Sequence, residues 1–209
     1  MPQQEEQKTA ERRGWHLPAV VELPLLLLVA LVVTLLVKAF FAQAFYIPSA
    51  SMEPQLREGD RVVVSRTAYR LHDPHRGDVV VFPDPGAPEE TDGFVEGLVD
   101  DVLGAVALGS HDDSELIKRV VGLPGEVIQG RDGRVLIDGR RVFEPYLEPD
   151  MLTSDFGPAT VPEGHVFVLG DNRTNSHDSR FADVGPIEID SLVGRAVARV
   201  WPPGRTAFL

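Results

Sequence analysis

Apolar residues divide the chain into one long block followed by many short ones. From Leu17 to Val37 the only ionisable side chain is Glu22. A helix of that length spans about 31 Å, enough for the hydrocarbon core of a bilayer. The block is predicted to be a single transmembrane helix. Lys38, Phe40, Phe41, Phe45 and Tyr46 follow it, a cation that can snorkel and aromatics suited to the headgroup level. Residues 17–45 therefore read as helix plus interfacial anchor. Residues 1–16, polar and without periodicity, read as a tail. Arg12 and Arg13 flank the amino end of the block and favour a cytoplasmic N-terminus. A second reading stays open, because basic tail, apolar run and Ala42-Gln43-Ala44 together resemble a cleavable secretory signal. Against it, the run exceeds the usual length of about 7–15 residues, and Lys38 interrupts it before the cut.

Beyond Asp60 the period changes to that of short strands separated by turn residues. Arg61 to Ser65, Asp78 to Phe82, Leu116 to Val121, Glu126 to Gln129, Arg134 to Asp138, His165 to Leu169 and Leu192 to Trp201 are the predicted strands. Gly130-Arg131-Asp132-Gly133 and Asp138-Gly139 carry hairpin-turn chemistry. The predicted fold class is mostly β: an N-terminal membrane helix, then an antiparallel β domain over 46–209, built as a folded or barrel-like pair of sheets. Within it, 84–115 reads as an inserted surface segment. Phe94, Leu98, Val102 and Val106 recur every fourth residue there and predict a short amphipathic helix at 94–108, weakened by Gly97 and Gly104.

Charge sharpens this division. The net charge of −12 argues against nucleic acid as a partner. Ten acidic residues and no Lys or Arg lie between Asp84 and Glu115, so the rest of the chain carries only −2. The absence of cysteine excludes disulfides, thiol catalysis and thiolate metal sites.

Among candidate chemistries, metal catalysis is poorly supported. The six histidines form no H-E-x-x-H pattern, and His72 and His75 sit beside Pro74 and Gly77 in what reads as a loop. No cofactor is expected. A Ser51, His177, Asp178 triad can be written on paper, although no G-x-S-x-G elbow is present. Ser51 can instead be activated by a neutral lysine, provided burial lowers that lysine from its usual range near 10.4. Period-2 alternation places Leu116, Lys118 and Val120 on one strand face and points Arg119 the other way, toward solvent if Lys118 faces the core. On spacing alone a lysine on an exposed strand face is the commoner arrangement.

Three separated stretches resemble the motif boxes of bacterial type I signal peptidases, the membrane-anchored Ser-Lys leader peptidases. They are Phe45 to Asp60 (FYIPSASMEPQLREGD), Ile117 to Glu126 (IKRVVGLPGE) and Gly170 to Arg180 (GDNRTNSHDSR). The apolar block before the first and IDSLVGRAVARVWP after the third fit the same pattern. The resemblance implies Ser51 as nucleophile, Lys118 as general base, Ser49 as an oxyanion-hole donor and Ser176 as the residue that orients Lys118. It implies Asp171, Asp178 and Arg180 as structural charges, and Ile47, Met52, Leu56, Leu116 and Ile117 as the lining of shallow pockets for small side chains. For Met52 and Leu56 a plain core role fits equally well. Ala50 stands where many members have glycine, Thr174 replaces a commoner acidic residue, and Ala182-Asp183-Val184 departs from the usual aromatic or glycine pattern. The implied substrates are preprotein signal peptides cut after A-x-A sites, with the lipid bilayer as partner, no nucleic acid, an extracytoplasmic catalytic domain and a monomer assumed. Three rivals remain at this stage. They are a repressor-type self-cleaving protease, a specialised pilus- or plasmid-system processing peptidase, and an inactive membrane-tethered binding domain.

Overall fold

A computed structural model describes residues 23–30, 43–87 and 115–209. They fall in two units, one within Met1–Thr34 and the other within Leu35–Leu209. In the first, residues 23–30 are helical and their leucines are exposed. No helix among the described residues is long and apolar enough to cross a membrane. The rest of the predicted span, the aromatics Phe40 and Phe41, and the predicted helix at 94–108 lie outside the described residues.

Among the described residues of the second unit the strands are, in chain order, β1 (Gln43–Tyr46), β2 (Arg61–Ser65), β3 (Val79–Pro83), β4 (Glu115–Gly122), β5 (Val127–Arg131) and β6 (Arg134–Ile137), then β7 (Arg140–Arg141), β8 (Phe156–Thr160), β9 (His165–Leu169), β10 (Ile187–Glu188), β11 (Gly194–Trp201) and β12 (Ala207–Phe208). They form two antiparallel sheets. The larger runs β1-β2-β11-β3-β4-β9-β10 with β12 on the flank of β11, and the smaller runs β7-β6-β5-β8. Valine alternation explains the packing. Val79 and Val81 of β3 join Ile47, Met52, Leu56, Val62, Val64 and Ile117 on one face of the large sheet. Val80 and Phe82, from the alternate positions, pack on the other face with Val120, Val166 and Val168. Each such valine contributes roughly 1.5–3 kcal/mol by leaving water. A third cluster of Val121, Ile128, Val135, Phe167 and Leu169 joins the strands of the small sheet to β4 and β9.

Turn chemistry acts where the dipeptides placed it. Asp132-Gly133 joins β5 to β6 and Asp138-Gly139 joins β6 to β7, all four residues at positive φ between 50° and 76°, as a type I′ hairpin turn requires. Gly130 and Arg131, expected in the first turn, extend β5 instead.

Three expectations are corrected. Residues 43–45, assigned to the interfacial anchor, belong to β1, which pairs with β2 from Gln43 opposite Val64 to Tyr46 opposite Arg61. Phe45 is accordingly a core residue, and a cut after Ala44 would fall inside a paired strand. Second, β8 contains Gly157 and Pro158 and gives no strand signal; as an edge strand it tolerates a residue that cannot donate to the ladder. Third, Arg119 does not reach solvent. It is 4% exposed, because β4 is covered on both faces.

Candidate active site

Ser51 sits in a single 3₁₀ turn, Ala50–Met52, early in the loop between β1 and β2. The loop closes on itself: Ile47 N–H donates to the Asp60 carbonyl at 2.9 Å, and Gly59 N–H donates to the Ile47 carbonyl at 3.0 Å. Gly59 has φ 88°, a conformation that a side chain would strain. Met52 and Leu56 are both 0% exposed and pin the turn to the core. At the far end, the Asp60 carboxylate accepts from Arg57 N–H and from Arg205 near the C-terminus.

Lys118 comes from β4, on the face it shares with Leu116 and Val120 as the alternation predicts. Its Nζ lies 3.1 Å from Ser51 Oγ and donates to the Ile117 carbonyl at 3.0 Å. Lys118 is 2% exposed and Ser51 8%. Burial lowers the Lys118 ammonium from its ordinary 10.5 to about 8, while the Asp178 and Asp84 carboxylates pull the other way. At pH 7 about one molecule in ten then carries the neutral amine, against roughly one in three thousand for an unperturbed lysine. That amine can accept the Ser51 proton. Ser49 completes the row, its hydroxyl donating to Ser51 Oγ at 3.3 Å.

The segment Gly170–Arg180 backs this pair. Asp178, fully buried, accepts from Gly170 N–H at 3.0 Å and is gripped by both Arg180 Nε at 2.7 Å and Arg180 Nη2 at 2.9 Å. Arg173 donates to the Gly170 carbonyl and to Thr153, and forms a buried ion pair with Glu144. Asn172 holds the nucleophile's own backbone: its N–H donates to the Ser51 carbonyl at 3.0 Å and its Nδ2 to the Ala50 carbonyl at 3.1 Å.

Ser176 departs from expectation. Its Oγ is buried and has no hydrogen-bond partner among the described residues. The amine of Lys118 is engaged with Ser51 and Ile117 instead. Ser176 nevertheless lies close to the nucleophile's backbone, because a Cβ on Gly170 would meet Ser176 Oγ at 2.2 Å and the Ser51 carbonyl oxygen at 2.5 Å. A methyl group has no room there. Gly170→Ala should therefore push Ser176 and Ser51 out of place and lower kcat/KM about a hundredfold. Activity within twofold of the parent in a steady-state peptide assay would show that this contact is not tight.

The remaining named residues separate into groups. Asp171 is paired with Arg119 through two bonds of 2.8 and 2.7 Å, and Arg119 also donates to Gly77 O and Gln55 Oε1 and stacks on Tyr146 with its carbon 4.2 Å from the ring centroid. Ile47, Leu116 and Ile117 line a recess together with Phe45, Tyr46, Pro48, Val81 and the ionisable Glu115. Met52 and Leu56 are fully buried core instead. The paper triad is not assembled, since exposed His177 bonds to Asp183 at 2.8 Å while Asp178 is bound to Arg180. Sequence reasoning gave no role to Asn172, Arg173 or Gln55, although all three lie inside the quoted boxes. Glu144 carried no sequence signal at all.

A family model described as signal peptidase, peptidase S26, matches residues 20–201. The chain belongs to that family. A probable signal peptidase I-2 of Synechocystis sp. is 36% identical over 189 residues, 90% of this chain and 77% of the relative. A signal peptidase I of Leptolyngbya laminosa is 38% identical over 183 residues, covering 86% and 79% of the two chains. One of Mycobacterium tuberculosis is 34% identical over 231 residues, covering 95% and 78%. As a signal peptidase, the protein is a serine peptidase that cleaves signal peptides. The pilus-system and inactive-domain readings are not favoured.

Proposed function

We propose that Ser51 and Lys118 are the nucleophile and general base of this peptidase, acting through an acyl-enzyme. The observation that carries the reading is the 3.1 Å approach of Lys118 Nζ to Ser51 Oγ with both side chains buried. Neutral Lys118 takes the Ser51 proton as Oγ attacks the scissile carbonyl. Negative charge moves onto the carbonyl oxygen, where the Ser51 N–H and the Ser49 hydroxyl stabilise it. The Lys118 ammonium returns its proton to the leaving amine, the C–N bond breaks, and the signal peptide stays as an ester on Ser51. Lys118 next takes a proton from water, whose oxygen displaces Ser51 and frees the acid.

Ile47, Leu116 and Ile117 bind the residues before the scissile bond. Their recess is lined chiefly by apolar side chains, with Glu115 beside them, and a pocket fitted to alanine excludes larger side chains. Ser176 packs against Ser51 and bonds to the lysine as the acyl group forms. The apolar block 17–37 crosses the membrane with the N-terminus in the cytoplasm, supported by its 21-residue length and by Arg12 and Arg13. The catalytic domain then faces the exported side, where preprotein cleavage sites emerge. Incubating the detergent-solubilised protein with a preprotein whose signal ends in A-x-A, and reading the products by mass spectrometry, tests this. A single cut after the second alanine is expected; an uncut preprotein, or a cut after a large residue, contradicts it.

A further inference from the structure

The Ala50–Ser51 peptide is trans, so its C=O and N–H are opposite ends of one rigid plane. The N–H end is the one that serves the oxyanion when Ser51 is the nucleophile. The opposite end is held. Ala50 O accepts from Glu53 N–H at 3.1 Å and from Asn172 Nδ2 at 3.1 Å. The Ala50 carbonyl can only accept, so it fixes which end of the Asn172 amide is the donor, and Thr174 Oγ1 holds the other end by donating to Asn172 Oδ1 at 3.1 Å. One plane further on, Ser51 O accepts from Asn172 N–H at 3.0 Å.

We propose that Asn172 is a positioning residue for the oxyanion hole: by donating to the Ala50 carbonyl it sets and polarises the peptide plane whose far end is the Ser51 N–H. The inference rests on the Ser51 nucleophile reading and extends it. Two effects act together. The bond restrains rotation of the plane, so the N–H need not reorient when charge develops. It also draws electron density toward Ala50 O, which makes the Ser51 N–H a stronger donor, as hydrogen bonds in a chain polarise one another. Thr174, at a position that departs from the family pattern, becomes the outer end of a relay from Thr174 hydroxyl through the Asn172 amide and the Ala50–Ser51 peptide to the oxyanion. Asn172 touches none of the reacting atoms, so its effect belongs in kcat and in transition-state binding, and not in substrate affinity.

The test uses the full chain in detergent with a peptide spanning an A-x-A site, and a peptide ending in an aldehyde at the scissile position. Ser51 Oγ adds to the aldehyde carbon, the carbonyl electron pair moves to oxygen, and the adduct presents an oxyanion to the hole while the Ser51 proton rests on Lys118. Removing a direct oxyanion donor costs about a hundredfold or more, so weakening one indirectly should cost about tenfold. Asn172→Ala is expected to lower kcat and aldehyde affinity by that same factor. KM should stay within about twofold, and the pH limb set by Lys118 should not move. Asn172→Leu, close in shape, uncharged and without the donor, should show the same loss even if Asn172→Ala folds poorly. Thr174→Val should show a loss of about twofold to threefold in the same direction. An Asn172→Leu protein with unchanged kcat, or one whose KM and pH limb shift along with kcat, would overturn the proposal in favour of a loop-packing role. Processing that persists in Ser51→Ala would instead sink the dyad on which it rests.

Discussion

Lys118→Met is expected to lower kcat/KM at least a thousandfold while leaving the protein folded, and Ser51→Ala is expected to match it. The size follows from the arrangement. Among the described residues the basic group bonded to Ser51 Oγ is the Lys118 amine at 3.1 Å, and a general base and its nucleophile act as a unit, so losing either removes nearly the whole effect. Folding should survive because methionine has nearly the length of the lysine stem and avoids burying an amine that burial already disfavours. The lost bond to Ile117 O costs about 1 kcal/mol, and the melting temperature should stay within about 4 °C. Lys118→Arg should be equally inactive, since a guanidinium stays charged and cannot accept a proton. Initial rates of peptide cleavage, beside thermal melts of the same samples, make the measurement. A variant that retains a tenth of the parent activity would remove lysine from the mechanism.

The second large effect concerns stability. Asp171→Ala should destabilise the protein by about 3–5 kcal/mol, because it leaves the buried Arg119 guanidinium without its counter-charge. Arg119 keeps its contacts to Gly77 O, Gln55 and Tyr146, none of which carries a negative charge. For a chain of this size that corresponds to a fall of roughly 10 °C in the melting temperature. Replacing both partners, Arg119→Met with Asp171→Leu, should recover much of the loss, because no lone charge then stays buried. A double-mutant cycle reads this directly, and a melting temperature unmoved in Asp171→Ala would show that the pair contributes nothing. Activity should fall with stability, since Arg119 also holds Gln55, four residues beyond the nucleophile.

These cases show where the sequence was informative. The strands at Arg61–Ser65 and His165–Leu169 appear with the bounds that their valine-rich pattern gives, because local period and burial agree there. Alternation also showed that Lys118 shares a face with Leu116 and Val120, but not that this face is buried, since spacing alone favours an exposed lysine. Arg119 was misread because alternation assigns faces but does not say that a second layer covers the outer one; Asp171, from a segment some fifty residues away, supplies the charge that lets it be buried. β1 was hidden inside an apolar run that continues the predicted span, where hydropathy alone does not separate lipid from protein core. β8 was hidden by Gly157 and Pro158, which break strands everywhere except at edges. Within the site, the hydroxyl and the amine were found by motif. Asn172 was not, because its role is to bond backbone carbonyls over 120 residues away in the chain, and no side-chain pattern records that.

The most direct measurement is the pH dependence of kcat/KM for the wild-type protein on a peptide with no group titrating between pH 5.5 and 10. This ratio reports the free enzyme's essential base. Because the amine works only when neutral and Lys118 is lowered to about 8, the rate should climb tenfold per pH unit below that value and level off above it. A plateau that extends down to pH 6, or a limb near 6.5 where histidine titrates, would contradict a buried lysine as the base.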